Sequence, residues 1–428
     1  MRQASTLSEW LAYLETLHPK AIAMGLDRVS AVYARLGRLG VRLTCPVITI
    51  GGTNGKGSTC ALLESMLRAG GYRVGAYTSP HLLHYNERVR VDAADAKDEA
   101  LLEAFAAVES ARLTTPLTYF EFGTLAALWL LARAGLDAAV LEVGLGGRLD
   151  AVNVVDADVA IVTTVAIDHV DYLGTTRDDI GREKAGIFRS GAFAICADRQ
   201  PPATLLAQAS AIDARLLRIG VDYDFTAHDG QWSYRGPGGT RHGLPIPALR
   251  GAYQLANAAT ALAALDVLRD QLAVAMGAVR EGLVSVELPG RLQVLPGRPL
   301  TVLDVAHNPQ AAAALADSLA SMGFHAQTWA VFGIMADKDI DSVIAALLPR
   351  VDCWYIATLP PPRGATAEDL RVRLETAGVA PAGILDFADP ASAYRAAREA
   401  VAEADRIIVF GSFLTVAAAL ALTDRRAA

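Results

Sequence analysis

The folds and functions open to this sequence are limited above all by a glycine-rich segment that joins an apolar stretch to a helix. The segment reads Pro46-Val-Ile-Thr-Ile-Gly-Gly-Thr-Asn-Gly-Lys-Gly-Ser-Thr59. Its apolar beginning predicts a β-strand, and the spacing of apolar residues from Ala61 to Ala69 predicts a helix. Backbone N–H groups and the dipole at a helix start favour bound phosphate, and Lys56 adds a positive charge. We therefore expect a site for a nucleoside triphosphate.

The segment departs at two positions from the common phosphate-loop pattern G-x-x-x-x-G-K-[ST]. Ile50 occupies the place of the first glycine, and Gly57 separates Lys56 from Ser58. The alternative is a glycine-rich turn that carries an incidental lysine. Four glycines, a lysine and two hydroxyl groups in one strand–turn–helix unit favour the phosphate site over that alternative.

The composition excludes several classes of protein. A chain of 428 residues predicts two or three domains, at about 150 residues each. The net charge of −7 argues against a general nucleic-acid-binding protein, because such proteins need a basic surface. The sequence has neither an apolar run of about 18 residues nor a signal-peptide pattern in Met1–Pro19, so we expect a cytoplasmic protein without a membrane partner. The four cysteines lie far apart and predict neither a zinc site nor a disulfide framework.

Beyond the phosphate loop, polar residues follow a second predicted strand. The segment Gly71–His81 contains a short strand that delivers Thr78 and Ser79. Parallel strands joined through a helix have their carboxyl ends at one edge of the sheet, so these hydroxyl groups can face the phosphates. Ser79 is therefore a candidate metal ligand, and an ordinary hydroxyl at a strand-end turn is the alternative.

Two further strands carry polar residues to the same edge. Ala138–Val143 has the pattern of a buried strand and contains Glu142, and a carboxylate in an apolar strand needs a partner. In a nucleotide-binding fold magnesium is the favoured partner, ahead of a buried ion pair. Asp158–Ile167 is predicted as the next strand and is followed by Asp168 and His169. His169 alone would be a weak candidate, since histidines at strand ends are often structural, but it falls at the same edge.

Two segments near predicted helices leave their function open. Leu117–Thr124 contains the aromatic-flanked Glu121 and leads into a helix predicted at Leu125–Ala134. Such a carboxylate can bind a flat heterocycle, but a capping glutamate beside a hydrophobic staple is the commoner explanation. Lys184 lies in a helix predicted at 178–187, and the pattern alone indicates a solvated surface lysine.

The chain divides best at Leu288-Pro-Gly-Arg-Leu292. Beyond this motif strands and helices alternate, which predicts a second, smaller α/β sheet. Polar residues again follow the strands, at Asp304–Pro309 and at Gly411–Thr415. We therefore expect an α/β protein with a phosphate-loop domain on a mostly parallel sheet over residues 1–287 and a Rossmann-like domain over residues 288–428.

A series of motifs, in this order and spacing, resembles the folylpolyglutamate synthase/dihydrofolate synthase family of the Mur ligase superfamily. The resemblance spans nearly the whole chain, and a glycine after the loop lysine is itself a feature of that family's loop. The motifs are Gly52-Thr-Asn-Gly-Lys-Gly-Ser58, Tyr77-Thr-Ser-Pro-His-Leu82, Glu87-Arg-Val-Arg90, Phe120-Glu-Phe-Gly123, Glu142-Val-Gly-Leu-Gly-Gly-Arg-Leu-Asp150, Asp168-His169, Glu183-Lys-Ala-Gly186, Leu288-Pro-Gly-Arg291 and Asp304-Val-Ala-His-Asn-Pro309.

The resemblance implies a nucleotide site and two magnesium ions. Lys184 is similar to the lysine that this family carbamylates, which would turn a cation into an anionic oxygen ligand of the second ion. The implied ATP-binding residues are Thr53, Asn54, Gly55, Lys56, Gly57, Ser58, Asn257, Arg291 and Asp304. The implied metal ligands are Ser79, Glu142, His169 and carbamylated Lys184.

The resemblance also implies two substrate sites. The implied pterin pocket contains Thr118, Tyr119, Phe120, Glu121, Leu149, Asp150 and Ala151. The incoming glutamate is expected near His307 and Ser412. The residues that the resemblance assigns to catalysis are Lys56, His169, Lys184 and His307.

The implied activity is ATP-dependent amide formation by a monomer, which joins L-glutamate to dihydropteroate and to reduced folates through an acyl phosphate. An enzyme with only the chain-extending activity would share most of these motifs. A cell-wall amino-acid ligase of the same superfamily would need a uridine-diphosphate pocket, and the roughly 45 residues before the loop are too few for such a domain. A phosphate-loop switch or motor is the alternative of a different class, and it would hydrolyse nucleotide without any dependence on an amino acid.

Overall fold

The structure of the chain is a computed structural model that describes residues 5–20 and 22–423. Of these, the residues up to Ala248 together with Gln254–Glu287 form one compact unit, and Leu249–Tyr253 together with the residues from Leu288 onward form a second. The main division falls at the Leu288 motif. The short segment Leu249–Tyr253 differs from the expectation, which assigned it to the first domain.

The first unit is built on a large and mostly parallel sheet. Its described strands are β1 (Val47–Gly51), β2 (Val74–Tyr77), β3 (Val89–Val91), β4 (Ala94–Asp95), β5 (Ala138–Glu142), β6 (Val159–Val162), β7 (Phe193–Cys196) and β8 (Arg215–Arg218). Their order in the sheet is β4-β3-β2-β5-β1-β6-β7-β8. Neighbours from β2 to β8 are parallel, whereas β3 and β4 are antiparallel additions at one edge. Every residue of β1, β5 and β6 is buried, which is typical of parallel strands covered by helices.

Helices pack on this sheet through two apolar cores. Within the described residues the first unit contains α1 (Leu7–Thr16), α2 (Asp27–Gly37), α3 (Lys56–Ala69), α4 (Asp98–Arg112), α5 (Tyr119–Leu131), α6 (Val170–Leu173), α7 (Arg177–Ala185), α8 (Ala203–Ala211), α9 (Gln254–Val267) and α10 (Met276–Ser285). One core joins α1, α2, α4 and α5 to the sheet around Trp10, Phe105 and Phe122. A second core joins α7 and α8 to it around Ile180 and Leu205.

A small antiparallel sheet in the first unit is fixed to α9 by a buried carboxylate. The sheet comprises β9 (Asp224–His228), β10 (Gln231–Gly236) and β11 (Gly239–Pro245). Asp266 of α9 accepts hydrogen bonds from the Tyr234 hydroxyl at 2.8 Å, the Gly238 N–H at 3.0 Å and the Arg241 guanidinium at 2.5 Å. A buried carboxylate with several donors is well compensated, so this contact orients α9, which carries residues of the candidate site.

Two elements of the first unit differ from the expectation. α5 begins at Tyr119, well before the predicted Leu125, so the aromatic stretch lies inside the helix. The reason is a capping box: Thr118 Oγ1 accepts a hydrogen bond from the Glu121 N–H at 3.2 Å, and the Glu121 carboxylate accepts one from the Thr118 N–H at 2.8 Å. β6 is shorter than predicted and ends at Val162, because the residues after it turn to bind the phosphate loop.

The second unit is a smaller α/β sheet. Its described strands are β12 (Gln293–Leu295), β13 (Leu300–Leu303), β14 (Thr328–Phe332), β15 (Cys353–Ala357), β16 (Ile384–Phe387) and β17 (Arg406–Phe410). Its described helices are α11 (Pro309–Ser321), α12 (Ile340–Leu347), α13 (Ala367–Thr376), α14 (Pro390–Ala400) and α15 (Phe413–Ala421). The order is β12-β13-β17-β14-β15-β16, and only the edge strand β12 among these is antiparallel. The predicted fold class, α/β with mostly parallel sheets, is confirmed.

Two expectations from composition can be compared with the structure. In the described ranges, no helix combines the length and the apolar character that crossing a bilayer requires. The four cysteines are free thiols, of which Cys60 and Cys196 are buried and Cys45 and Cys353 are half-buried. They therefore contribute mainly to packing.

The close contact between α3 and α10 provides a test of the packing in the first unit. A Cβ added at Gly282 would lie 2.5 Å from Met66 Cα, a backbone atom that cannot move aside cheaply. We expect Gly282→Ala to destabilise the protein by about 1–3 kcal/mol in urea unfolding. Gly277 on the same helix has open space around it, so Gly277→Ala is the matched control and should be neutral or stabilising by up to about 1 kcal/mol. Equal effects of the two substitutions would show that the helices are not packed this closely.

Candidate active site

The loop between β1 and α3 presents backbone N–H groups at the start of a helix. Gly55 is the residue that caps α3, and its φ of +89° lies in the region that favours glycine. A Cβ at Gly52 would lie 1.8 Å from Thr163 Oγ1, and one at Gly55 would lie 2.6 Å from Asn257 Oδ1. The loop is therefore a tight backbone cradle with no room for side chains at these positions, as a phosphate site requires.

Hydrogen bonds to the residues after β6 hold this loop in shape. The Thr53 N–H donates to the Thr164 carbonyl at 2.7 Å, and the Asn54 N–H donates to Thr164 Oγ1 at 3.1 Å. Thr163 Oγ1 donates to the Asn54 carbonyl at 2.7 Å, and Thr53 Oγ1 accepts from the Ala166 N–H at 3.0 Å. The conformation of the loop is thus fixed by the protein itself.

Lys56 and two side-chain amides of α9 lie at the cradle. Lys56 Nζ donates to the carbonyl oxygens of Gly52 at 3.1 Å and Thr53 at 3.2 Å, so the ammonium group lies against the loop. Asn257 Nδ2 donates to Gln254 Oε1 at 2.8 Å, and Gln254 Nε2 lies 3.3 Å from Ser58 Oγ. Gln254 was not among the site residues predicted from the sequence. Its spacing of three residues before Asn257, on one face of α9, was the signal that could have identified it.

The structure brings the predicted metal ligands Ser79 and Glu142 together. Glu142 is the last residue of β5 and is paired in register with Ile50 of β1. Its side chain is buried, and its Oε2 accepts a hydrogen bond from the Ser79 N–H at 3.2 Å. β5 lies between β1 and β2, so both residues stand at the carboxyl edge beside the phosphate loop. A buried carboxylate and a hydroxyl are oxygen ligands that suit magnesium.

His169 lies at the start of α6 and has a φ of +53°. The backbone N–H of His169 donates to Asp168 Oδ1 at 2.8 Å, and the ring Nε2 lies 3.9 Å from the same oxygen. Over the part of the chain that the structure describes, no group of three or more His, Cys, Asp and Glu side chains forms a metal site. The predicted metal ligands are a serine, a glutamate, a histidine and the carbamylated Lys184, and the metal role of His169 stays a prediction.

Lys184 is buried, so the interpretation as a solvated surface lysine is wrong. Its exposed fraction is 3%, and it lies in the last turn of α7. Burial and the nearby positive charge of Lys56 lower the pKa of Lys184 to about 7, against partial compensation by Asp168 and Asp150. A large fraction of the amine is therefore neutral near neutral pH, which is the form that reacts as a nucleophile.

Asp150 is another buried ionisable group near the loop. Burial raises its pKa to about 6, against hydrogen bonds from backbone N–H groups and the charge of Lys56. The Leu145 N–H donates to its Oδ2 at 2.8 Å and the Val152 N–H to its Oδ1 at 2.9 Å. Asp150 therefore fixes the shape of the turn that also contains the predicted pterin residues Leu149 and Ala151.

The segment after β5 clamps the end of α7 and so positions Lys184. The Arg148 N–H donates to the Glu183 carbonyl at 2.7 Å, and Arg148 Nη2 donates to Glu183 Oε1 at 2.7 Å. A Cβ at Gly147 would lie 2.7 Å from the Glu183 carbonyl oxygen and 2.9 Å from that of Lys184. The glycine is needed because the two backbones touch here.

Two of the residues predicted to bind the pterin, Thr118 and Glu121, cap helix α5 in the structure. Besides its capping bonds, Glu121 forms an ion pair with Arg28, with 2.9 Å between Oε1 and Nη2. The Phe120 ring covers the end of β5, since a Cβ at Gly144 would lie 2.5 Å from its Cζ. The capping explanation is correct for Thr118 and Glu121, and it leaves the half-buried Phe120 and Tyr119 beside the edge of the sheet. Their role in binding a pterin stays a prediction.

The segment before α2 contacts residues of this site, and these contacts were not predicted from the sequence. The Gly25 N–H donates to the Leu149 carbonyl at 3.3 Å, and Arg28 Nη2 donates to the Ala23 carbonyl at 2.7 Å. Arg28 therefore connects this segment to the start of α5. No sequence pattern within 22–28 predicts these contacts, which arise from the tertiary fold.

In the second unit, residues predicted to bind the nucleotide and glutamate lie at the ends of two neighbouring parallel strands. β13 and β17 pair in register up to Leu303 and Val409. Asp304, directly after β13, is buried and accepts hydrogen bonds from the Leu292 N–H at 2.7 Å and the Ala306 N–H at 2.8 Å. Burial raises the pKa of Asp304, against the favourable charge of Arg291. The predicted nucleotide residues Asp304 and Arg291 are thus close enough to interact.

The two residues predicted to bind the incoming glutamate, His307 and Ser412, lie at the same edge of this sheet. His307 Nδ1 donates to the Val305 carbonyl at 2.8 Å, and its ring centroid lies 6.5 Å from that of Phe413. Ser412 caps α15, and its Oγ accepts a hydrogen bond from the Leu414 N–H at 3.2 Å. The structure brings His307 and Ser412 to adjacent strand ends, and their role in binding glutamate stays a prediction.

Comparison with known proteins finds matches along nearly the whole chain. The profile of the Mur ligase middle domain matches residues 50–265, and that of the Mur ligase glutamate ligase domain matches residues 290–413. A dihydrofolate synthase/folylpolyglutamate synthase of Escherichia coli (strain K12) is 48% identical over 424 residues, which cover 99% of this chain and 97% of that protein.

Solved structures give the same result. The structure of E. coli FolC in complex with DHPP and ADP has a TM-score of 0.93 and 47% sequence identity, and the match covers 100% of both chains. A crystal structure of a bifunctional folylpolyglutamate synthase/dihydrofolate synthase with Mn, AMPPNP and L-glutamate bound has a TM-score of 0.89 and 44% identity, covering 98% of both chains.

Proposed function

The chain belongs to the dihydrofolate synthase/folylpolyglutamate synthase family of Mur ligases, and on this premise we propose that it is an ATP-dependent ligase that adds L-glutamate to dihydropteroate and to reduced folates. The observation that carries the proposal is 48% identity, over 99% of this chain, to a protein that bears both activities in its name. Solved relatives contain ADP with DHPP, and AMPPNP with Mn and L-glutamate. These ligands correspond to the nucleotide, the metal and the two substrate classes that we propose.

The residues of the first unit fit a nucleotide and a divalent metal. The cradle has no space for a Cβ at Gly52 or Gly55, so its backbone N–H groups are not covered by side chains at these two positions. Glu142 and Ser79 supply the kinds of oxygen ligand that Mg²⁺ prefers. When bound, magnesium supplies charge neutralisation at the transferred phosphoryl group. We propose a second ion, with His169 and a carbamylated Lys184 among the ligands of the pair.

The reaction follows from what these residues can do. The substrate carboxylate is a poor acyl donor, so its oxygen attacks the γ-phosphorus of ATP, forming an acyl phosphate and releasing ADP. The loop N–H groups and Lys56 stabilise the negative charge that develops on the phosphoryl oxygens. The amino group of L-glutamate then attacks the activated carbonyl carbon, loses a proton and expels phosphate, which leaves an amide. His307, in the second unit, is the candidate residue for interaction with the amino group of L-glutamate.

We further propose a division of roles between the domains. Residues 1–287 would bind ATP and the pterin acid, and residues 288–428 would bind glutamate and contribute Arg291 and Asp304 to the nucleotide. Of the predicted pterin residues, Phe120 has the most suitable geometry, because its half-buried ring lies over the end of β5. We also propose a cytoplasmic monomer without a nucleic-acid or membrane partner.

A coupled assay tests the proposed activity. Purified protein is incubated with ATP, Mg²⁺ and L-glutamate, together with either dihydropteroate or tetrahydrofolate, and ADP and the pterin product are measured. We expect ADP only when both the acid and glutamate are present, because the nucleotide is consumed in making an amide. Lys56→Met is the matched inactive variant.

The same assay separates the alternatives. Extension of tetrahydrofolate without formation of dihydrofolate would limit the activity to chain extension. ADP release that does not depend on an amino acid would indicate a phosphate-loop switch or motor and would exclude the ligase. Nucleotide consumption with a uridine-diphosphate-linked acid, and with neither pterin, would indicate a cell-wall ligase.

The metal role of Glu142 is tested by its amide. We expect Glu142→Gln to raise the magnesium concentration needed for half-maximal activity by about 10- to 100-fold, because a neutral amide binds the ion less tightly. Glu64 is the matched control, since it is also buried in the first unit but is paired with Arg90 at 2.7 Å. Glu64→Gln should lower stability without changing the magnesium requirement. An unchanged requirement in Glu142→Gln would remove this residue from the metal site.

Carbamylation of Lys184 is tested by ¹³C NMR with labelled bicarbonate. Only the neutral amine forms a carbamate, and the pKa of Lys184 is lowered to about 7 by burial, so we expect a carbamate signal that grows as the pH rises from 6 to 8. Lys184→Ala should lose the signal and about 10- to 100-fold of the activity, and short carboxylic acids should partly restore turnover. The exposed Lys97 provides the control, because Lys97→Ala should keep both. Full activity in Lys184→Ala would contradict the proposal.

A further inference from the structure

Arg88 is a half-buried cation held by neutral groups. It directly precedes β3, and its guanidinium carbon lies 5.3 Å from the ring centroid of Tyr85 and 5.7 Å from that of Tyr119. Its Nε–H donates to His81 Nδ1 at 2.9 Å. Two aromatic faces and one imidazole therefore fix the plane of the guanidinium without neutralising its charge.

The groups around Arg88 are committed to other partners. The Glu87 carboxylate accepts hydrogen bonds from the backbone N–H groups of the three residues 82–84, at 2.6–2.7 Å. Burial and the charge of Arg88 lower the pKa of His81 to about 4, so the imidazole stays neutral at physiological pH. Among residues 5–20 and 22–423, the Arg88 guanidinium forms no ion pair, and its Nη1 and Nη2 form no hydrogen bond. Both NH₂ groups of the guanidinium are therefore unused within this part of the chain.

Arg90, two residues later in β3, has the contacts of a purely structural arginine. It forms an ion pair with Glu64 at 2.7 Å between Nη2 and Oε2. Its Nη1 also donates to Thr78 Oγ1 and to the Glu87 carbonyl, each at 3.0 Å. The charge of Arg90 is thus neutralised and its donors are used, whereas those of Arg88 are available to a ligand.

Arg88 lies near the residues predicted to bind the two ends of the proposed acid substrate. The Arg88 carbonyl accepts a hydrogen bond from the Thr78 N–H at 2.9 Å, so its backbone lies beside Ser79, the predicted metal ligand. Its side chain contacts Tyr119, which belongs to the predicted pterin segment. An acid with its ring near Tyr119 and its reacting end near Ser79 would pass the guanidinium.

Resting on the proposed function, we propose that Arg88 binds a carboxylate of the pterin acid through Nη1 and Nη2 and so orients the acid for reaction with ATP. A planar guanidinium with two parallel N–H groups matches a carboxylate better than any other side chain does. Two carboxylates have this chemistry. One is the reacting carboxylate, which dihydropteroate and folates both carry, and the other is the second carboxylate of the glutamyl group, which only folates carry.

The test compares substrate dependence in wild type, Arg88→Gln and Arg88→Lys. Loss of a charge-assisted pair should raise KM for the acid substrate by about 10- to 100-fold in Arg88→Gln, with a smaller rise in Arg88→Lys, which keeps a charge but not the fork. KM for ATP and for L-glutamate should stay unchanged. Arg133→Gln is the matched control, because Arg133 also lies over an aromatic ring, that of Trp129 at 4.3 Å, but is exposed in the turn that follows α5.

The two substrates identify which carboxylate is bound. A rise in KM for both dihydropteroate and tetrahydrofolate assigns Arg88 to the reacting carboxylate, whereas a rise for tetrahydrofolate alone assigns it to the glutamyl carboxylate. A binding measurement excludes a merely structural effect: Arg88→Gln should bind a decarboxylated dihydropteroate analogue as tightly as wild type does. Equal weakening for the acid and the analogue, or no change for either, overturns the inference. A wild-type protein that converts neither acid would instead refute the proposed function.

Discussion

Close packing of the phosphate-loop backbone against Thr163 and Asn257 is the constraint on which the candidate site depends. Gly52 and Gly55 leave no space for a Cβ against Thr163 and Asn257. The loop is held by hydrogen bonds to the residues after β6, so its N–H groups keep their direction without a ligand. A cradle that is organised in advance loses little conformational freedom when phosphate binds. The same constraint explains why glycines at fixed positions carried so much information in the sequence.

Around this cradle, charged groups are buried with only partial compensation. Burial lowers the pKa of Lys184 to about 7 and raises that of Asp150 to about 6, so it disfavours the charged form of both. Lys56 acts on the two groups in opposite ways, since its charge favours the Asp150 carboxylate and opposes a second ammonium at Lys184. The neutral form of Lys184 is therefore favoured next to the loop, and this is the form that carbamate formation requires. Perturbed groups of this kind mark functional sites more often than structural ones.

The fold was predictable to the extent that local patterns determine it. Apolar runs and turn residues predicted the alternation of strands and helices in the second unit, because buried parallel strands have a short and continuous apolar signal. The start of α5 was missed because its capping box lies inside an aromatic stretch that the apolar pattern does not separate. The burial of Lys184 and the ion pair between Arg28 and Glu121 were not predictable from pattern, since both depend on segments that meet only in the folded chain. The family resemblance supplied the candidate role of Lys184, but not the reason for its pKa.

In both units, an arginine near predicted site residues is oriented by aromatic rings rather than by a carboxylate. Arg291 lies 5.0 Å from the ring centroid of Phe413, while nearby Asp304 directs both oxygens at backbone N–H groups. Arg88 lies over Tyr85 and Tyr119 in the same manner, and the neighbouring carboxylate is again bound to backbone. A direct ion pair would fix either guanidinium equally well, but it would also neutralise the charge that an anionic substrate needs. Aromatic support separates the two effects, because it orients the cation without neutralising its charge, which stays available to phosphate or carboxylate.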